Sequence, residues 1–180
     1  PILVAHDGQN LFNPNAIWGG WQLDAMLDAR ISANEMRPVF VAGIANTPDR
    51  MEEYTHVPDD ISGSCDGSQV VGGQAAAYAA FVWETVLALL EGTYPLAQER
   101  SQRGVMGSSL GGLVSLWMAY DQPQRVQRVA CLSGTLGWGS FCPSSSGPTM
   151  QTIATAAGKQ DLVIYLDSGG AGSSNPSQDN

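Results

Sequence analysis

The sequence predicts an α/β protein in which a mostly parallel sheet carries helices on both faces. Short apolar runs, bounded by turn residues, alternate along the chain with stretches whose apolar residues follow helical spacing. No internal repeat interrupts this alternation. With 180 residues, 43% of them hydrophobic and 14% charged, the chain has a globular composition, and we expect one domain over residues 1–180.

The first half of the chain contains two predicted strands and two predicted helices. Residues 2–5 and 38–45 are short apolar runs, the second rich in β-branched side chains, which predicts buried strands. Residues 21–29 and 74–90 have apolar residues at helical spacing. Residues 46–73 are rich in Asp, Pro, Ser and Gly, so we expect a long loop, of the kind that is usually functional or mobile.

The second half continues the alternation. It predicts a strand, a helix, a strand, a short helix and a last buried strand, at residues 104–107, 110–120, 129–133, 150–157 and 162–166. Residues 134–148 are expected to form a loop, and the tail 169–180 to be irregular. In a sheet of this kind the active site lies at the carboxyl ends of the strands.

Charge and apolar length argue against several classes of function. The net charge is −9 and Lys159 is the only lysine, so a nucleic acid is not an expected partner, because phosphate contacts need clustered Lys or Arg. The apolar stretches are short and interrupted, so we expect no membrane span. No signal peptide pattern is present, but the chain begins inside an apolar run, which suggests that the true N-terminus lies upstream. The oligomeric state stays open.

The three cysteines do not follow the spacing of a zinc site or a disulfide framework, and no metal site is predicted. Cys131 lies in an apolar run and is expected to be a buried thiol. Cys65 and Cys142 both lie in loop-like sequence, where they could pair in an oxidising compartment or stay reduced. The compartment is therefore left open for a soluble protein, with secretion and a periplasmic location among the alternatives.

Residues 107–111, GSSLG, match the pattern G-x-S-x-G. In this motif the serine occupies a strained strand-to-helix turn, and glycine two positions away on either side avoids collisions with neighbouring elements. The turn would lift the hydroxyl of Ser109 above the sheet and direct the N–H of Leu110 at a developing oxyanion. The predicted strand before the motif and the predicted helix after it provide the context it requires. An ordinary Gly/Ser turn, such as a phosphate-binding loop, is the alternative.

A second stretch, GSCDG at residues 63–67, has the same spacing with Cys65 at its centre. No predicted strand precedes it and no predicted helix follows it. We therefore expect it to be a loop.

Six strings of the sequence together resemble the Putative esterase family of α/β-hydrolases. They are AHDGQNLF (5–12), WQLD (21–24), AGIANTPDRMEEYT (42–55), GVMGSSLGGLVSL (104–116), VACLSGTLGWG (129–139) and VIYLDSGG (163–170). The family includes enterochelin esterases, esterase D-type thioesterases, feruloyl esterases and mycolyltransferases. The resemblance covers nearly the whole chain in the family's order, and it implies the α/β-hydrolase fold without indicating one substrate.

The resemblance also implies an oxyanion hole and a triad acid. The family's D-G pair leads into the oxyanion hole, which makes the N–H of Gln9 the second donor beside that of Leu110. The side chain of Asp7 itself is expected to cap the turn. The acid should follow the last strand, where Asp179 is preferred and Asp167 is the second candidate.

Other residues have a substrate or a packing role as alternatives. Trp138 is expected to wall the acyl or alcohol pocket, and His56 either lines the substrate cleft or braces its loop. Arg50 and Glu53 belong to the family's R-x-x-E-Y-T string and are expected to brace the same loop as a charged pair, with substrate contact as the alternative. Of the other tryptophans, Trp18 lies in a loop near a predicted strand end, whereas Trp21 and Trp83 follow helical patterns and are expected in the core.

The sequence departs from the family in its histidines. In this fold the triad runs serine, acid, histidine, but His6 and His56 both precede Ser109 and no histidine follows it. His6 is expected to pack or to form a local hydrogen bond. Serine is a poor nucleophile without an adjacent base, so we expect that the N-terminal edge strands and a C-terminal histidine-bearing segment are missing and that the 180-residue piece is inactive alone.

The function expected from the resemblance is a serine hydrolase that cleaves small-molecule carboxylic esters through an acyl-enzyme on Ser109, without a cofactor. One alternative is an acyltransferase that uses the same acyl-enzyme. Another is a catalytically inactive, hydrolase-like binding domain, which the missing histidine favours and the strained serine turn disfavours.

Overall fold

A five-stranded sheet forms the centre of the computed structural model, which describes residues 1–18, 20–145 and 147–168. Its strands are β1 (Ile2–His6), β2 (Phe40–Ile44), β5 (Arg103–Ser108), β6 (Arg128–Leu132) and β7 (Val163–Leu166). They lie in the order β2-β1-β5-β6-β7, and every pairing between them is parallel. The predicted parallel sheet is confirmed.

Each predicted helix is present with bounds shifted by a few residues at most. The helices are α1 (Leu23–Ser32), α2 (Arg50–Glu53), α3 (Ala75–Ala80), α4 (Ala88–Thr93), α5 (Leu110–Asp121) and α6 (Met150–Ala157). A π-helical segment, Phe81–Leu87, joins α3 and α4 into one continuous helix.

The sheet is covered on both faces because successive strand residues point to opposite sides. Val4 and Val105 belong to the main core, where they share a cluster with buried residues of α3 and α5. Ala5 belongs to a smaller cluster on the other face, with Leu11 and Leu23 at the start of α1. Two layers of helices therefore enclose the sheet, as predicted.

The helix Ala75–Thr93 is, within the described residues, long and apolar enough by composition to cross a membrane. Its apolar side, however, belongs to the main core, in which Tyr78, Val82, Trp83 and Leu87 are buried. Core helices meet the same criteria of length and hydropathy, so this helix is only a weak indication of a membrane span.

The expected loop at residues 46–73 contains more structure than predicted. Besides α2 it holds an antiparallel hairpin of β3 (Pro58–Asp60) and β4 (Val70–Gly72). Elements of three or four residues are too short to show a hydrophobic period, which explains why the sequence pattern missed them. Residues 63–67 form the loop of this hairpin, as expected.

The hairpin is tied to the loop that follows β6. A disulfide joins Cys65 to Cys142, so the pairing that the sequence left open is present. Beside it, the carboxylate of buried Asp59 accepts hydrogen bonds from the backbone N–H groups of Gly139 (2.6 Å) and Phe141 (3.1 Å). Burial opposes ionisation of Asp59, but these bonds and one from Ser145 outweigh it and lower its pKa.

The prediction of a buried last strand is wrong for the described part of the chain. All four residues of β7 are exposed, from 41% at Ile164 to 58% at Tyr165. The apolar run correctly indicates a strand, but β7 lies at the edge of the sheet and pairs with β6 alone. The edge strand β2 is mostly half-buried. The faces of a strand are buried by elements packed over the sheet, and the described residues leave those of β7 largely uncovered.

Candidate active site

Three neighbouring strands end together and bring their following turns to one edge of the sheet. The register pairs Ala5 of β1 with Met106 of β5, and Met106 with Ala130 of β6. The chain leaves these strands into the turn at Asp7, the turn at Ser109 and the loop that begins at Ser133. Because the strands are parallel, these segments meet at their carboxyl ends.

The backbone at Ser109 is left-handed, with φ 56° and ψ −122°, and its side chain is exposed. Its N–H donates to the carbonyl of Leu132 at 3.0 Å, which fixes the turn against β6. A Cβ atom on Gly107 would lie 2.5 Å from the carbonyl carbon of Gly111, so the turn has no room for a side chain there. The motif's glycine spacing thus reflects direct contact between strand and helix.

The N–H groups of Leu110 and Gln9 both belong to turns at this edge. Leu110 is the first residue of α5, where helical N–H groups lack intrahelical partners. Gln9 lies in a 3₁₀ turn, Gly8–Asn10, whose first bonded N–H is that of Asn10, which donates to Asp7. A Cβ on Gly8 would lie 2.5 Å from the carbonyl carbon of Gly43, so the turn packs directly on β2.

A cavity of about 470 Å³ opens beside Ser109. It is lined by Asp7, Gln9, Asn10, Trp18, Trp21, Asn46, Arg50, Ser108 and Ser109. Trp18 is 82% exposed and Trp21 is half-buried, so both indoles are available to a ligand. The side chain of Gln9 is held by Asn46, which donates to it from its backbone N–H at 3.2 Å.

Sequence reasoning singled out most of these residues but did not bring them together in one cavity, and it missed Asn46. Trp21 packs partly on the smaller cluster, as its helical pattern predicted, but it also faces the cavity. Asn46 and Arg50 reach the cavity from the segment after β2. The one available signal was their position just beyond a strand's carboxyl end.

Asp7 forms an ion pair with Arg50 instead of capping its turn. Arg50 donates from Nε to Oδ1 and from Nη2 to Oδ2, both at 2.7 Å, and no side-chain cap bond from Asp7 is present in the turn. The expected pairing of Arg50 with Glu53 is therefore wrong, and Glu53 accepts from Thr47 instead. Burial alone would lower the pKa of Arg50, but Asp7 outweighs it and raises that pKa.

Tyr54 completes the support of this turn. Its hydroxyl accepts the backbone N–H of Asp7 at 3.2 Å, and its ring lies 5.0 Å below the guanidinium of Arg50. Tyr54 is fully buried, and burial raises its pKa to about 12, so the hydroxyl stays protonated near neutral pH.

Both histidines are engaged away from the hydroxyl of Ser109. His6 is buried, its Nδ1 is 2.8 Å from the hydroxyl of Tyr78, and burial lowers its pKa to about 4. His6 thus packs and forms a hydrogen bond, but with a partner 72 residues away in the chain. His56 donates from Nε2 to the carbonyl of Pro148 at 2.6 Å, so it braces two loops, and burial lowers its pKa. The side-chain oxygen near Ser109 Oγ is Thr135 Oγ1, at 3.4 Å.

Of the two candidate acids, Asp167 lies within the described residues and Asp179 lies outside them. Asp167 follows β7, and its Oδ1 accepts the N–H of Ser133 at 2.7 Å. This places a carboxylate at the same sheet edge as Ser109, one strand beyond β6. Within the three described ranges, no three His, Cys, Asp or Glu side chains converge to hold a metal ion.

Trp138 does not wall the cavity beside Ser109 as the sequence suggested. It is 2% exposed in the main core, and its indole N–H donates to the carbonyl of Val57 at 2.7 Å. The neighbouring bond from Gly139 to Asp59 draws the loop inward, which explains the burial. Cys131 is a buried free thiol, as expected, and burial raises its pKa to about 11.

The Putative esterase family model matches residues 1–180. Among curated proteins, the uncharacterized protein YbbA of Bacillus subtilis (strain 168) is 25% identical over 135 residues, which are 75% of this chain and 50% of YbbA. The chain therefore spans about half the length of this relative.

Solved structures show the same fold at low identity. The siderophore hydrolase EstA from Aspergillus nidulans has a TM-score of 0.66 and 20% identity, over 87% of this chain and 51% of EstA. The enterobactin esterase FES from Shigella flexneri, solved in the presence of enterobactin, has a TM-score of 0.63 and 20% identity, over 93% of this chain and 37% of FES. The fold is that of the α/β-hydrolases, as the sequence predicted.

Proposed function

Because this chain belongs to the Putative esterase family of α/β-hydrolases, we propose that it is a serine hydrolase of small-molecule carboxylic esters, with Ser109 as nucleophile. The observation that carries the proposal is the exposed Ser109 in its left-handed turn, at the start of α5 and at the edge of a 470 Å³ cavity. An ordinary packing turn does not need this strained conformation, so its presence supports a chemical role.

In the proposed reaction, Ser109 Oγ attacks the ester carbonyl carbon and its proton passes to a base. The carbonyl oxygen becomes an oxyanion that accepts hydrogen bonds from the N–H groups of Leu110 and Gln9. Donors of this kind each contribute about 10²–10³-fold to turnover. The intermediate then expels the alcohol, which takes up the proton, and water hydrolyses the acyl-enzyme by the same steps.

The base is proposed to be a histidine from outside these 180 residues. His6 and His56 are both bonded elsewhere, and neither has Ser109 as a hydrogen-bond partner. Asp167 supports such an arrangement, because one of its oxygens holds Ser133 and the other can orient an imidazole. Asp179 remains the other candidate for the acid.

The substrate is proposed to carry a ring on the side that enters the cavity. Trp18 and Trp21 offer indole faces for stacking, and the paired amides of Gln9 and Asn46 offer polar contacts. Two structural relatives, a siderophore hydrolase and an enterobactin esterase, act on small molecules, which supports a small-molecule ester as the substrate class.

A fluorophosphonate probe tests the proposal, because it phosphonylates an activated serine. The natural full-length chain is expected to form one adduct, at Ser109, and to hydrolyse p-nitrophenyl esters. Ser109→Ala should lose the adduct and lower kcat/KM by about 10⁴-fold or more. Ser108→Ala, which removes the adjacent hydroxyl, should keep the adduct.

An adduct that persists in Ser109→Ala would place the nucleophile elsewhere. A natural chain that forms no adduct and hydrolyses no ester would favour the inactive binding domain instead.

A further inference from the structure

We propose that Arg50 is a positioning residue for the oxyanion turn. It clamps Asp7 in the left-handed conformation from which the chain presents the N–H of Gln9, and it neutralises the carboxylate of Asp7 beside the site. This inference rests on the proposed esterase function. It adds Arg50 as a residue that affects the reaction through Asp7.

The first argument is geometric. Asp7 has φ 56° and ψ 45°, a left-handed conformation that is uncommon in residues other than glycine, although Asp adopts it more readily than most. The segment α2 holds Asp7 in this conformation: Arg50, its first residue, holds both carboxylate oxygens, and Tyr54, just past its end, accepts the N–H of Asp7. The backbone and the side chain of Asp7 are thus both fixed, two residues before Gln9.

The second argument is electrostatic. The position that a Cβ would take on Gly111 lies 3.1 Å from Asp7 Oδ2, so this carboxylate sits against the first turn of α5, next to Leu110. The side chain of Asp7 is only 9% exposed, and solvent therefore screens its charge poorly. An unpaired negative charge there would oppose an oxyanion nearby. The guanidinium of Arg50 cancels this charge through two short bonds.

Arg50 lines the cavity, so direct contact with the substrate is the competing role. Its Nε and Nη2 are already used by Asp7, and one face of the guanidinium lies over Tyr54. The planar guanidinium forms a bidentate pair with the carboxylate, and this arrangement is better suited to positioning Asp7 than to binding a ligand. Loss of a positioning residue should lower kcat, whereas loss of a substrate contact should raise KM.

The test uses the natural full-length chain, with active sites counted by fluorophosphonate titration so that kcat refers to folded, reactive protein only. For Arg50→Gln we expect kcat per titrated site to fall about 10–100-fold, with KM changed less than about three-fold. Arg50→Lys keeps the charge but loses the fork, so its kcat should be intermediate.

A double variant separates positioning from mere stability. Asp7→Asn removes the charge that Arg50→Gln leaves unpaired, so the double variant should regain at least about three-fold in kcat over Arg50→Gln alone. As a matched control, Arg103→Gln breaks another partly buried ion pair, with Glu91, at the opposite end of β5. It should lower Tm and leave kcat per site unchanged.

An Arg50→Gln variant with wild-type kcat per site would overturn the inference, and so would one in which only KM rises. If the double variant has no higher kcat than Arg50→Gln alone, the electrostatic argument is wrong. A wild-type chain with no adduct and no turnover would instead defeat the proposed function, and the inference with it.

Discussion

Behind the Ser109 turn, two buried polar residues each pair with a specific side chain. His6 meets the hydroxyl of Tyr78, and Asp7 meets Arg50. The two residues are neighbours in sequence but have different kinds of partner. Asp7 forms an ion pair, whereas His6 meets a neutral hydroxyl, and burial lowers the pKa of His6.

His6 should make the folded state sensitive to acid. Its pKa is about 4 when folded and about 6.5 when unfolded. Between these values the unfolded chain binds a proton that the folded chain does not, so stability is lost as pH falls from 6.5 to 4. The shift corresponds to about 3 kcal/mol.

Urea unfolding at pH 7 and pH 4 can measure this contribution. Carboxylates titrate over the same range in all variants, so the comparison is with His6→Gln, which lacks the titrating group. The wild type should lose about 3 kcal/mol more than this variant between the two pH values. Parallel losses in both proteins would show that His6 is protonated in the folded state.

At the scale of elements, the site depends on close backbone approaches at the ends of β1 and β5. Gly8 lies directly on β2, and Gly107 lies directly on the first turn of α5. These contacts let the strand ends bend sharply while the helix begins at once. Gly92, near the end of α4, has open space around it and makes no such close approach.

Alanine at Gly107 and alanine at Gly92 should therefore have opposite effects on the free energy of unfolding. Gly107→Ala forces the strand and the helix apart and should lower the free energy of unfolding by about 1–3 kcal/mol. Gly92→Ala meets no obstacle in a helix and should raise it by about 0.5–1 kcal/mol. Thermal unfolding of the two variants measures both changes in stability. Equal stabilities of the two variants would contradict the close packing at the Ser109 turn.

At the scale of the whole molecule, the loop after β6 is held from a distant part of the chain. This loop carries Thr135 next to Ser109, and its far end is joined to the β3–β4 hairpin by the Cys65–Cys142 disulfide and the bonds of Asp59. The disulfide closes a separation of 77 residues. Such bonds persist in oxidising compartments, the condition under which the sequence allowed this pair to form.

Loss of the disulfide should lower the free energy of unfolding by about 2–4 kcal/mol, because the unfolded chain regains the freedom that the closed loop removed. Urea unfolding with and without a thiol reductant measures the change. The double variant Cys65→Ser with Cys142→Ser should be as unstable as the reduced wild type and should not respond to the reductant. A reductant effect of the same size in that variant would assign it to another cause.

Most of the framework could be predicted from the sequence because it depends on local patterns. The alternation of apolar runs with helical spacing indicated the parallel sheet and its helices, and the glycines around Ser109 indicated the turn. The turn lies at a sheet edge because strands and helices of this order place it there. Neighbouring residues carry this information, so it can be seen in the sequence.

The sequence by itself thus determined the class of fold, the order of the sheet strands and longer helices, and the position of the turn at Ser109. The tertiary structure decided that Arg50 pairs with Asp7 across 43 residues, that Trp138 is buried and that β7 is exposed. These outcomes depend on which distant segments meet. Contacts of that kind are set by the packing of whole elements, for which a local hydrophobic period carries no signal.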